Sequence, residues 1–264
     1  MARPDPGPAN PPPRPVKLLL GAALTTYREG ALAIVVFTAL VLVPLQALTI
    51  AIGDAGGAAV SRGAFMSLFG IQFVWLAVVA ATLTRLPGTG AAHAASVRDL
   101  LVGPPWRAIL RAFAPLLGLS ALAAAPAAAI FAAVELNAGT GWVGLAASQV
   151  EAVAQFAILA VAGSAPLLAA RGEEDPLRRA IALGRGERLR TVGVLYLATL
   201  LVVVAIILIA VPIAAMGLRA LVPVIELAVF PYLACVLYVL ESDRVAAVAG
   251  PGPRPARAYV PAAR

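Results

Sequence analysis

Long uncharged, apolar stretches alternate along this chain with short segments rich in arginine, proline and glycine. No charged residue lies between Gly30 and Gly53, and none between Gly63 and Thr84. A bilayer core about 30 Å thick needs roughly 20 apolar residues of helix to cross it. These runs therefore predict transmembrane helices, because in hydrocarbon every backbone polar group must be satisfied within the segment. Six spans are expected, at about residues 31–53, 63–85, 110–134, 142–170, 191–218 and 221–240. The first exceeds the roughly 7–15 apolar residues of a signal peptide and is expected to stay uncleaved.

Breakers and anchors mark the ends of these runs. Arg85, Pro87 and Gly88 halt the second span, while Pro115 and Pro126 inside the third predict kinks packed against neighbours. Trp142 suits an interfacial position at the start of the fourth. Seven prolines within residues 1–15 predict a disordered, extended arm, and the Pro- and Arg-rich stretch 246–264 reads the same way. The membrane domain is expected over residues 16–245 as one all-α, polytopic helix bundle with short cytoplasmic interfacial helices.

Composition agrees with the pattern. The chain is 61% hydrophobic and 12% charged, about half the charged content of a typical soluble domain. Its net charge of +7 does not imply a nucleic-acid partner, because the arginines flank apolar spans instead of clustering on a separate polar domain. Of the 20 basic residues, 18 fall on one side of the six-span topology, leaving only Arg62 and Arg219 opposite. The positive-inside rule then places both termini in the cytoplasm. A bacterial cytoplasmic (inner) membrane is the expected location, given 19 arginines against one lysine and abundant alanine.

Each odd-numbered span is entered from a basic segment, through Tyr27-Arg28, then Trp106-Arg107 with Arg111, then Arg188-Leu189-Arg190. This reads as a weak threefold repeat of helical hairpins or as the anchor any hairpin needs. The segment from Glu173 to Arg190 is the densest in charge. Asp175 can cap a helix with Pro176 in its first turn. That helix is expected to be short, to lack a clean apolar stripe and to weaken at Gly184 and Gly186. Arg107, Arg111, Arg178, Arg179, Arg185, Arg188 and Arg190 are candidate contacts for anionic lipid headgroups, each worth about 1 kcal/mol near such a surface.

Polar residues inside the spans form a second candidate site. At 1.5 Å per residue, Gln46, Gln72, Gln149, Glu151 and Glu226 all fall in the outer third of their helices. Ionisable groups there are costly and usually face a cavity or a partner. An outward-facing polar pocket around Glu151 and Glu226 is one reading. The other is structural, with Glu226 pairing Arg219 and Glu151 held by Gln155 one turn on.

Catalytic chemistry finds no support. His93, Ser96 and Asp99 are spaced so as to spread around a helix and lack an oxyanion partner. One histidine and one cysteine leave no transition-metal ligand set, Gly184-x-Gly186 lacks the rest of a phosphate-binding fingerprint, and no cofactor is expected. Cys235 is expected to pack within an apolar run.

Tyr27-Arg28 leading into a span with Pro44, Ala165-Pro166-Leu167-Leu168 before an acidic turn, Leu177-Arg178-Arg179 through Arg185-Gly186, and Pro231 and Tyr238 before Asp243-Arg244 form a spaced series. In these positions the chain resembles the membrane region attached to some bacterial glycerophosphodiester phosphodiesterases and found alone in actinobacterial proteins. The resemblance covers about residues 15–245, with Ala180 standing where it implies serine. It implies the membrane region without the catalytic barrel, for which this chain has neither the histidines nor the length. A non-enzymatic membrane protein that organises lipids or a membrane partner is thus the expected function, with a small transporter or channel as the alternative. Whether it self-associates is not legible in the sequence.

Overall fold

The computed structural model describes residues 14–85, 97–136, 141–218, 225 and 228–248. They form an all-helical body, with no strand among the described residues. Its elements are α1 (Val16–Thr82), α2 (Val97–Val102), α3 (Trp106–Leu136), α4 (Gly141–Ala162), α5 (Ala165–Ala170), α6 (Pro176–Gly184), α7 (Arg188–Ala215) and α8 (Tyr232–Val248), with a 3₁₀ turn at Leu83–Arg85. Four stretches among the described residues are long and apolar enough to cross a membrane: Val16–Leu40, Trp106–Pro126, Gln149–Ala170 and Arg188–Ile213. A shorter apolar segment covers Phe73–Thr82.

Helix α1 begins at Val16, well before residue 31, so the Tyr27-Arg28 lead-in is already helical. Its backbone stays helical across the connection expected between the first two spans, yet it cannot be straight. Tyr27 meets Tyr232 edge-on with ring centroids 6.4 Å apart, and Phe73 meets Phe230 at 5.7 Å. A straight helix would separate Tyr27 from Phe73 by about 69 Å, whereas their partners are two residues apart. The chain therefore reverses between these two aromatics. Pro44 lies in that interval, and a proline removes one ladder hydrogen bond and drives a kink.

The core forms where α1 packs against α3 and α8, with α4 and α5 closing it. Phe73 is its hub: it also meets Phe156 of α4 edge-on at 5.1 Å, while Trp75 meets Phe113 of α3 at 5.0 Å. Such pairs add about 0.5–1.5 kcal/mol each beyond the area they bury. The opposite face of α7 exposes Leu200, Val204, Ile207, Leu208 and Val211. Water would not tolerate so broad an apolar face, and lipid would.

The fourth expected span is not one helix. Gly163 and Ser164 break it into α4 and α5, and all six residues of α5 are buried. A Cβ on Gly163 would lie 2.4 Å from the Leu159 carbonyl oxygen, so only glycine fits the break. The last helix corrects another boundary. It does not stop at Leu240 but runs to Val248, which carries Glu241, Asp243 and Arg244 within helical structure. Residues 246–248 of the expected disordered tail are thus helical, while the arm up to residue 13 and the tail from 249 lie outside the described residues.

Candidate functional site

Helix α6 starts as its sequence dictates: Asp175 accepts a hydrogen bond from the Arg178 N–H at 3.3 Å, and Pro176 occupies the first turn. The expected lack of an apolar stripe is corrected. Leu177, Ala180, Ile181 and Gly184 occupy positions i, i+3, i+4 and i+7, with Ala180 and Gly184 buried and the other two half-buried. Gly184 is the point of closest approach, since a Cβ there would lie 2.7 Å from the Ala160 carbonyl oxygen of α4. The glycine that looked like a weak helix end is the residue that lets α6 dock.

Docking turns the other face outward. Arg178, Arg179, Arg185 and Arg188 are exposed, and none has a side-chain ion pair or hydrogen bond among the described residues. Arg107 and Arg111 are likewise exposed and unpaired in the first turns of α3. Arg190 behaves differently. Its guanidinium donates to Glu187 Oε2 at 3.0 Å and to the Arg14 carbonyl oxygen, so it is engaged within the protein.

Arg190 belongs to a polar cluster that sequence reasoning did not find. At its centre Arg244, 6% exposed, donates to Glu241 Oε1 at 2.8 Å, to the Thr191 hydroxyl, and to the Glu187 and Ala160 carbonyl oxygens at 3.3 and 3.4 Å. Arg14 pairs with Asp243 at 3.2 Å, tying the start of the described chain to its last helix. In the sequence Arg244 stands out only as part of the Asp243-Arg244 pair that follows Tyr238. The signal was the i, i+3 spacing of Glu241 and Arg244, legible once the helix is continued beyond Leu240.

Burial pushes the Glu241 carboxyl up to about 7, against the pull of Arg244 and the Ser164 hydroxyl. Asp243 is also raised by burial, opposed by Arg14 and then Arg190. One oxygen of each acid, Glu241 Oε2 and Asp243 Oδ2, is buried without a hydrogen-bond partner among the described residues.

The candidate polar pocket is only partly brought together. On α4, Gln149 is exposed and accepts a hydrogen bond from the Tyr196 hydroxyl of α7 at 2.9 Å. Glu151 is 3% exposed, and neither carboxylate oxygen has a hydrogen-bond partner among the described residues. Two residues apart, they point about 200° from each other around the helix. The expected contact between Glu151 and Gln155 is absent. Gln155 is instead satisfied by Ser120 of α3, accepting from its hydroxyl at 2.7 Å and donating to its carbonyl oxygen at 3.2 Å. The side chains of Gln46 and Gln72, and all of Arg219 and Glu226, lie outside the described residues.

The described residues also line cavities. An apolar groove of about 370 Å³ runs between α1, α7 and α8, lined by Leu24, Tyr27, Leu201 and Tyr232 among others. The two tyrosine hydroxyls at its wall are satisfied, Tyr27 donating to the Ala228 carbonyl oxygen and Tyr232 to that of Leu20. A smaller polar cavity of about 280 Å³ is lined by Thr84, Ala170, Arg171 and Tyr238. No group of three or more His, Cys, Asp or Glu side chains with metal-binding geometry occurs among the described residues, and Cys235 is a buried free thiol. No protein-family model, curated protein or solved structure matches the chain.

Proposed function

We propose that this chain is a non-enzymatic, multi-pass protein of a bacterial inner membrane, akin to the membrane region of glycerophosphodiester phosphodiesterases, that organises anionic lipids at its cytoplasmic face. The observation that carries this reading is the division of labour among its arginines. Arg14, Arg190 and Arg244 are spent on internal carboxylates, whereas Arg178, Arg179, Arg185 and Arg188 stand exposed and uncompensated on and beside a docked amphipathic helix. Internal stability explains the first set and not the second. Guanidinium groups held at the end of apolar helices meet phosphate at headgroup depth, where each forms charge-assisted, bidentate hydrogen bonds.

Native mass spectrometry of the gently extracted protein tests the proposal. The wild type is expected to retain anionic phospholipid, and the triple variant R178Q/R179Q/R185Q to retain markedly fewer copies. Equal retention by both overturns it.

A second reading, a small transporter or channel, is favoured by Glu151, whose buried carboxyl has no hydrogen-bond partner among the described residues. In proteoliposomes the double variant E151Q/E226Q is expected to fold as the wild type does and to abolish any solute flux the wild type supports. Surviving flux removes the two glutamates from a transport role.

A further inference from the structure

The polar cavity between the end of α1, the end of α5 and α8 has the chemistry of a headgroup seat. Two apolar segments stop at its edge. The stretch Phe73–Thr82 ends two residues before Thr84, and the stretch Gln149–Ala170 ends one residue before Arg171. Its polar groups therefore begin where hydrocarbon depth ends.

The site is also rigidly mounted. Helix α5 is buried along its whole length, and Gly172, with φ +88°, closes it in the left-handed conformation that glycine adopts without strain. The Glu173 N–H caps the Leu168 carbonyl oxygen at 3.1 Å. Arg171 is thus held at the end of a fixed element while its side chain stays exposed.

Donor and acceptor capacities decide what fits. Arg171 uses one terminal nitrogen in a long 3.4 Å contact with the Ser242 hydroxyl and forms no ion pair with Glu173, Glu174 or Asp175, so the rest of its fork is available. The Tyr238 hydroxyl has no partner among the described residues and can donate. The Thr84 hydroxyl already donates to the Ala81 carbonyl oxygen at 2.8 Å, which leaves it as an acceptor. A cationic donor, a second donor and one acceptor suit a phosphate ester that carries its own hydroxyl.

We propose that this cavity seats the headgroup of an anionic phospholipid bearing a hydroxyl, with Arg171 and Tyr238 on the phosphate and Thr84 on the headgroup hydroxyl. The proposal rests on the lipid-organising reading and differs from it in predicting one tightly held lipid, separate from the looser set at the exposed arginines.

The test is native mass spectrometry of the full chain reconstituted with phosphatidylglycerol and phosphatidylcholine, at rising collision energy. The last phosphatidylglycerol to leave the wild type is expected to be lost about tenfold more readily from R171Q and several-fold more readily from Y238F. R178Q/R179Q/R185Q is expected to shed the weakly held lipids and keep that one. If R171Q and Y238F hold it as the wild type does, the pocket assignment falls while the arginine-face reading stands. If only the triple variant matches the wild type, the reverse holds. Displacement of the tight lipid by millimolar inorganic phosphate assigns the cavity to free phosphate and overturns the lipid. Thermal unfolding of each variant, expected unchanged because Arg171 is exposed and Phe keeps the Tyr238 ring, separates lost binding from lost fold.

Discussion

Arg244 and Gly184 are the residues on which the α6 end of this bundle turns, and each makes a sharp prediction. Removing one partner of a buried ion pair leaves an uncompensated charge, so R244M is expected to destabilise the protein by about 3–5 kcal/mol, seen as an early transition in detergent-solubilised thermal unfolding. R244M combined with E241M is expected to recover much of that loss, because both charges then leave together. Titration adds a direction. Glu241 ordinarily titrates near 4.5 and is pushed up to about 7 when folded. The folded state thus holds the proton more tightly, and the stability this contributes is complete below about 4.5 and lost as pH rises through about 7. Wild-type stability is expected to fall between pH 5 and 8, and E241Q to flatten that slope; parallel curves for the two proteins would contradict it. At Gly184, an added Cβ meets a backbone oxygen of α4 that cannot move aside, so G184A is expected to cost about 1–3 kcal/mol. Gly186 has open space around its Cβ position, and G186A serves as a control expected to be neutral or slightly stabilising.

Helix starts and stops were legible wherever local chemistry alone decides them. Asp175 and Pro176 announced α6, and D175A is expected to weaken that helix by about 1 kcal/mol. Hydrogen exchange would show this as faster exchange of the Arg178 and Arg179 amides with little change in α7. Other helix ends were not legible. Nothing in an apolar run distinguishes Gly163 as a break from Gly193 within α7; the difference shows only in the folded backbone, where a Cβ on Gly163 would crowd the Leu159 carbonyl one turn back in its own helix while the Cβ position of Gly193 is open. Charged residues after Leu240 resembled a helix end because their tertiary partners are not visible in the sequence. In an isolated span Glu241 and Arg244 would belong in water, and the Thr191 and Ala160 partners on α7 and α4, with Glu187 in the turn before α7, make their burial tolerable. The uncompensated arginines of α6 were visible in sequence, but their separation from Arg190 required knowing where Glu187 and Arg14 lie.

For the whole molecule, apolar runs revealed the membrane class, because hydrocarbon-spanning length is a one-dimensional property. How the spans converge is three-dimensional, and α1 shows the difference most clearly. Its backbone is continuously helical from Val16 to Thr82, which at 1.5 Å per residue would reach about 99 Å if straight. Aromatic contacts at both ends of that interval fall on the same short stretch of chain at Phe230 and Tyr232, so the helix must double back. The Arg14–Asp243 pair and the cavity shared by Thr84, Arg171 and Tyr238 then place both ends of α1 beside α8. Spin labels at Leu18 and Arg85 discriminate directly. A straight helix separates them by about 100 Å, beyond useful dipolar range, whereas the doubled-back chain brings them within about 40 Å. With Cys235 buried and the only native thiol, replacing it by alanine leaves the two introduced cysteines as the sole labels. A measurable distance in nanodiscs is the expected result, and its absence in a folded, doubly labelled protein would mean that the two arms of α1 do not pair and that the aromatic core around Phe73 is assembled in another way.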